Sequence, residues 1–176
     1  LALTRAVWKD EAEARGARVE VVTDLDRVLP VDGQASALRE AVMNLILNAV
    51  DAMPRGGRLE LSARGVDDGV ELQVSDAGEG MLEDVRLRIF DPFFTTRAPH
   101  RTGLGLCAVQ GIVIRHHGSV RVGSEPGRGT TVTMWFPMAR NRAVESSVPG
   151  APSAEAVPGP AGTPPPWPGD GPDASR

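Results

Sequence analysis

The sequence predicts an α+β domain in which helices lie against a sheet built largely from hairpins. Three observations lead there. Two pairs of alternating apolar and polar runs are joined by tight turns, and one long segment carries apolar residues at helical spacing. From about residue 141 the composition shifts to Pro, Ala, Gly and Ser, which leaves the fold to what precedes.

Residues 1 to 16 mix charge with Leu3, Val7 and Trp8 and read as an amphipathic helix ending at Gly16, the close of a connection from a preceding domain. "RVEVVTD" then alternates as a half-buried strand does, and a turn with Pro30 and Asp32 follows. The strongest helix spans about 34 to 52. Leu38, Val42, Leu45, Ile46, Ala49 and Met53 recur on one face, which should pack on a sheet. After the turn "PRGG", the runs "RLELSARG" and "GVELQVSD" form a hairpin around Asp67 and Asp68. A Gly-rich turn at 76 to 80 leads to a short helix near 82 to 88. "IFDPFFTTRAPHRT" has neither periodicity and reads as a long loop, a length that in compact domains is functional or disordered. A helix at about 103 to 116 precedes a second hairpin, "GSVRVGSE" and "GTTVTMWFP", across "PGRG". The fold therefore occupies residues 17 to 140. The tail 141 to 176 has scarcely a bulky apolar residue except Trp167 and cannot offset its ordering entropy, so disorder is expected there.

A formal net charge of -4 with scattered basic residues offers no footprint for nucleic acid. The single Cys107 cannot form an internal disulfide, which fits a reducing compartment, and no run reaches the length of a membrane span. These features suit a cytoplasmic domain. Because the chain starts at Leu1 and not at a methionine, upstream sequence is expected, with room there for a sensor or an inner-membrane anchor. The only lysine is Lys9, so no phosphate-binding motif further along contains one.

Three polar constellations stand out. Glu40, Asn44, Asn48 and Asp51 form one stripe on the long helix, where buried amides beside an acid suit a polar ligand or an ion. A solvated helix face accounts for the stripe equally well. In "SDAGEGM", Asp76 offers acceptors to an exocyclic amino group, and Gly78 and Gly80 let the backbone approach a flat ligand; alone it is an ordinary turn. In "RTGLGLCAVQGIV", Thr102, Gly103, Leu104, Gly105 and Leu106 open a helix whose unpaired N–H groups favour a phosphate. Residues 103 to 108 also match G-x-G-x-x-A, but the dinucleotide fingerprint needs a preceding strand, and "FFTTRAPHRT" is not one. A Walker loop or a protein-kinase fold needs a lysine that is missing here.

Taken in order, these segments resemble the ATPase domain of histidine kinases, within the wider group that includes DNA gyrase, the heat-shock chaperone ATPase and mismatch-repair ATPases. "LREAVMNLILNAVDAM" is similar to the N box, "SDAGEGM" to the first Gly box, "IFDPFFTTR" to the F box and "RTGLGLCAVQGIV" to the second Gly box. The resemblance covers about residues 17 to 138. It implies a two-layer α/β sandwich of the Bergerat type, with a mixed, mostly antiparallel sheet covered on one face by helices. It implies ATP and Mg²⁺ as cofactors. Asp76 would bond the adenine amino group with support from Thr130, while Gly78, Gly80 and Met81 would shape the base pocket. Asn48 would hold Mg²⁺ through its amide oxygen, with Asn44 and Asp51 near the phosphates. Glu40 would assist the attacking imidazole. Phe93 and Phe94 would anchor a lid, Arg97 would reach the terminal phosphate, and Gly103 to Leu106 would lie along the phosphates. Arg101 departs from the glycine common before Thr102.

None of His100, His116 and His117 is followed by the acid and downstream proline of the family's phosphoacceptor helix; His116 and His117 end a helix, where cationic side chains suit the dipole. The resemblance thus implies a two-component sensor kinase whose γ-phosphoryl acceptor is a histidine on a separate dimerising helical domain. A homodimeric parent and a downstream response regulator are implied with it. An anti-sigma-type serine kinase and a nucleotide-binding scaffold without catalysis are the alternatives.

Overall fold

The structure is a computed structural model and describes residues 18–26, 30–96 and 102–139. The expected connecting helix at 1 to 16 and the tail lie outside the described residues, as do Arg97, His100 and Arg101.

Strand β1 is Val19–Leu25, and helix α1 is Ala35–Ala52. Strands β2 and β3 are Gly57–Val66 and Gly69–Asp76. The short helix α2 is Glu83–Arg86, and α3 is Gly105–Arg115. The chain closes with β4, Ser119–Glu125, and β5, Gly129–Pro137. The five strands form one sheet in the order β1-β2-β3-β5-β4. β1 and β2 are parallel, joined through α1 as parallel neighbours must be joined by a crossover, and the other pairs are antiparallel. The expected mixed sheet is present.

Strand alternation decides the layers. Leu59 and Leu61 on β2, Val74 on β3, Val122 on β4, and Val132, Met134 and Phe136 on β5 are buried against the helices. From the other layer, α1 presents Leu45, Ile46, Ala49 and Val50, with Met53 just past its end, and α3 presents Val109, Ile112 and Val113. The sheet residues between them point the other way and, Trp135 apart, are largely polar on the central strands: Gln73 Nε2 donates to Thr133 Oγ1 at 3.4 Å, and the Ser75 and Thr131 hydroxyls are 2.8 Å apart. One face is therefore covered by helices.

The short helix is briefer than its expected span, covering only Glu83–Arg86 before the chain breaks into turns. With no buried residue of its own, it lacks the apolar face that would prolong it. The end of α3 is tied to the start of α1. His116 Nε2 accepts the Gln34 N–H at 3.0 Å, and Nδ1 lies 2.7 Å from the Ile112 carbonyl. His116 thus ends the helix by hydrogen bonding to both helices.

Candidate functional site

A cleft of about 760 Å³ opens between α1, the ends of β3 and β5, and the segments flanking α3. Its volume lies within the range of small-ligand sites. The sheet supplies one end. Asp76, the last residue of β3, stands opposite Thr130 of β5 in the antiparallel register. Gly78 donates its N–H to Asp76 Oδ1 at 2.9 Å, which orients the carboxylate. Thr130 is held likewise, its hydroxyl 2.9 Å from that of Ser124. The Gly-rich turn is pinned to the layer behind it, since Glu79 N–H donates to the Ala52 carbonyl at the end of α1 at 3.0 Å. Gly80, Met81, Val74, Ile89, Val122 and Val132 complete an apolar slot with a carboxylate at one edge. A flat base with an exocyclic amino group matches that chemistry.

The helical wall brings the expected stripe together: Glu40, Asn44, Asn48 and Asp51 all line the cleft. Asp51 is buried and Glu40 is exposed. The Asn48 Nδ2 is buried and has no hydrogen-bond partner. Such a group costs about 1–3 kcal/mol when left unmade, which marks a place where a polar ligand completes the structure. Facing it is the start of α3, where a Cβ on Gly105 would stand 3.6 Å from Asn48 Nδ2. Thr102, Gly103, Leu104, Gly105 and Leu106 line this end. The N-cap residue of α3 is Leu104, which gives no side-chain cap, and a helix start of this kind suits an anion. Gly103 needs to be glycine: its φ is +70°, and a Cβ would meet Phe93 and Phe94 backbone atoms at 2.6 Å.

The two lid phenylalanines separate. Phe94 lines the cleft, its ring 4.4 Å below the Arg88 guanidinium, whereas Phe93 is 74% exposed and does not line it. Of the two phenylalanines expected to anchor a lid, only Phe94 is placed in the wall of the cleft. The φ of +66° at Phe93, unusual for a bulky residue, turns its ring outward. Gly78 also stays off the lining and acts through Asp76. Arg97 lies outside the described residues.

Sequence reasoning missed Ser124, Thr95 and Thr96. Pairing the last hairpin outward from "PGRG" brings Ser124 opposite Thr130, so that residue was findable; the two threonines sit in an aperiodic loop that carries no such signal. Beside the cleft, Arg86 hydrogen-bonds Glu83 at 2.8 and 2.6 Å and reaches the Val122 carbonyl at 3.3 Å. That hydrogen bond, aided by the charge of Arg86, holds the exposed Glu83 carboxyl below its usual range.

The model of one family, described as histidine kinase-, DNA gyrase B-, and HSP90-like ATPase, matches residues 33–140. The chain belongs to that family. Within it, the chain is an ATP-binding catalytic domain of the sensor histidine kinase type. It is 37% identical over 113 residues to the sensor histidine kinase ZraS of Escherichia coli K12, a match covering 64% of this chain and 24% of that protein. It is 33% identical over 140 residues to the sensor-like histidine kinase SenX3 of Mycolicibacterium smegmatis, covering 77% of this chain and 36% of that one. The chain thus spans about a quarter to a third of these relatives. Among solved structures, a mycobacterial sensor histidine kinase MprB matches with a TM-score of 0.63 at 27% identity, over 77% of this chain and 92% of that one. ShkA in complex with AMPPNP matches with a TM-score of 0.65 at 29% identity, over 78% and 30%. These relatives do not favour the serine-kinase or scaffold alternatives. No helix among the described residues is long and apolar enough to cross a membrane.

Proposed function

We propose that this ATPase domain delivers the γ-phosphoryl group of ATP to a histidine on a separate helical domain, with Mg²⁺ bound at the Asn48 end of the cleft. One observation carries the reading: a buried, unpartnered Asn48 amide faces the N-terminus of α3 in the same cleft that holds the oriented Asp76 carboxylate. A base-reading end and a phosphate-holding end are thereby joined.

Among the described residues no three His, Cys, Asp or Glu side chains gather as a metal cage. Mg²⁺ suits such a site because it draws most of its shell from water and phosphate oxygens. Asn48 is the ligand through its amide oxygen, which a half-turn of the side chain exchanges with the nitrogen. The ion supplies charge neutralisation at the phosphates when bound. The chain's own groups do the rest. Asp76 accepts from the adenine amino group with Thr130 beside it, and Gly80 and Met81 border the base. The Gly103 to Leu106 backbone, with Thr102, lies along the phosphates; Asn44 and Asp51 flank them. Arg97, which lies outside the described residues, is the cation assigned to the terminal phosphate by the family resemblance. Phe94 holds the lid root. Glu40, exposed at the mouth, accepts the hydrogen of the incoming imidazole and keeps its attacking nitrogen aligned, since phosphoryl transfer asks mainly for positioning and charge stabilisation.

The parent protein is read as a homodimer through its histidine-bearing domain, passing the phosphoryl group to a response regulator, with this domain in the cytoplasm. Calorimetry of the chain with ATP and Mg²⁺, paired with phosphotransfer in the full-length parent, tests the reading. Binding in the micromolar to millimolar range and label on histidine are expected; label on serine, or no ATP binding, refutes it.

A further inference from the structure

A single imidazole at the end of one helix of the cleft reaches the uncapped start of the other. Helix α1 begins without a side-chain cap at Gln34 and without an acid in its first turn. The Gln34 N–H is instead taken by His116 Nε2 at 3.0 Å, from 82 residues away. The same ring offers Nδ1 to the Ile112 carbonyl, 2.7 Å away in the last turn of α3. The start of α1 lacks a side-chain acceptor, whereas the last carbonyls of α3 are already taken by backbone N–H groups, that of Ile112 by His116 itself at 3.2 Å, so the ring's second bond anchors it to α3. Only a neutral imidazole protonated on Nδ1 serves both at once; protonation of both nitrogens, or the other tautomer, removes the acceptor that Gln34 needs.

The surroundings hold the ring in this pose. Phe136 of β5 meets it edge-on, with centroids 6.3 Å apart and planes at 89°. Gly33, next to Gln34, lies against the Nε2 edge, where an added Cβ would overlap the ring. The helices also run so that the start of α3 meets Asn48 while its end meets Gln34. They touch at the phosphate end and are tied at the far end, with Glu40 and Asn44 on α1 between the two.

We propose that His116 is a positioning residue for phosphoryl transfer: its Nδ1-protonated ring latches α1 to α3 and thereby sets how Glu40 and Asn44 face the phosphate-binding turn. This inference rests on the function proposed above. Glu40 lies about 1.7 helical turns beyond the latch, so slack at Gln34 reaches it before it reaches the base pocket on the sheet.

Nitrogen-detected NMR of the ¹⁵N-histidine-labelled chain reads the tautomer directly, without ATP and without any substitution. A hydrogen on Nδ1 and a bare Nε2 are expected. A hydrogen on Nε2 overturns the latch. Hydrogen exchange at Gln34 and phosphotransfer in the full-length parent then test its consequence. His116→Ala should speed Gln34 exchange about fivefold or more and slow phosphotransfer about tenfold, with ATP affinity changed less than twofold. His116→Gln, whose carbonyl reaches where Nε2 stood, should restore most of both, and His116→Asn, which reaches only as far as Nδ1, should not. Unchanged exchange or unchanged phosphotransfer in His116→Ala, or equal rescue by both amides, overturns the positioning role. Should His116→Ala fail to fold, Gly33→Ala displaces the ring with its chemistry intact and is expected to show the same losses; normal exchange and transfer there overturn the proposal. If the unmodified parent transfers no phosphate, the functional reading fails, while tautomer and exchange still decide the latch.

Discussion

The two ends of the cleft are built on opposite principles. At the sheet end the polar groups have partners inside the protein: Asp76 Oδ1 takes the Gly78 N–H, and Thr130 shares a hydrogen bond with Ser124. At the helical end the Asn48 Nδ2 is buried without a partner, the N-cap residue Leu104 gives α3 no side-chain cap, and Phe93 sits at a φ of +66°. The first end is set before any ligand arrives. The second leaves a buried polar group without a partner, and the function proposed above fills it with a phosphate and an ion.

Four experiments break or sharpen this contrast. The largest effect is expected from Asn48→Ala, which should lower phosphotransfer by the parent about 100-fold or more. The same substitution should leave the thermal stability of the nucleotide-free chain unchanged or raise it by up to about 1 kcal/mol, because it deletes an unsatisfied polar group. A clear loss of stability by calorimetric melting would mean that Asn48 is structural after all. Asp76→Ala should weaken ATP binding by roughly 30- to 100-fold, the cost of an unmatched adenine amino group; titration calorimetry showing unchanged affinity removes the adenine assignment. Chelating Mg²⁺ should weaken ATP binding about tenfold while leaving adenosine binding as it was, because adenosine engages only the sheet end. Equal losses for both ligands would erase the distinction between the ends. The smallest effect belongs to Phe93→Gly, expected to stabilise the ligand-free chain by about 0.5–1 kcal/mol by relieving the left-handed backbone. Destabilisation there would show that the exposed ring has a packing role.

The fold was legible where a local period repeats. Alternation in "RLELSARG" and "GVELQVSD" yielded the β2–β3 hairpin, and the spacing of Leu45, Ile46, Ala49 and Met53 yielded α1 and its buried face. The stripe of Glu40, Asn44, Asn48 and Asp51 was legible for the same reason, since helical spacing puts them on one side whatever the rest of the chain does. Loops resisted. In the F-box segment no period distinguishes Phe93 from Phe94, and only backbone torsion sends one ring outward and the other beneath Arg88.

By itself, then, the sequence determined the secondary elements, the polar stripe and the order of the glycine turns, because these depend on residues within a few positions of one another. Tertiary structure decided which groups face each other across long separations. It paired Asp76 with Thr130, set Gly105 against Asn48, and brought His116 to Gln34 from 82 residues away. A side chain's protonation state and partners are properties of its surroundings, and those exist only once strands have found their register and helices have docked.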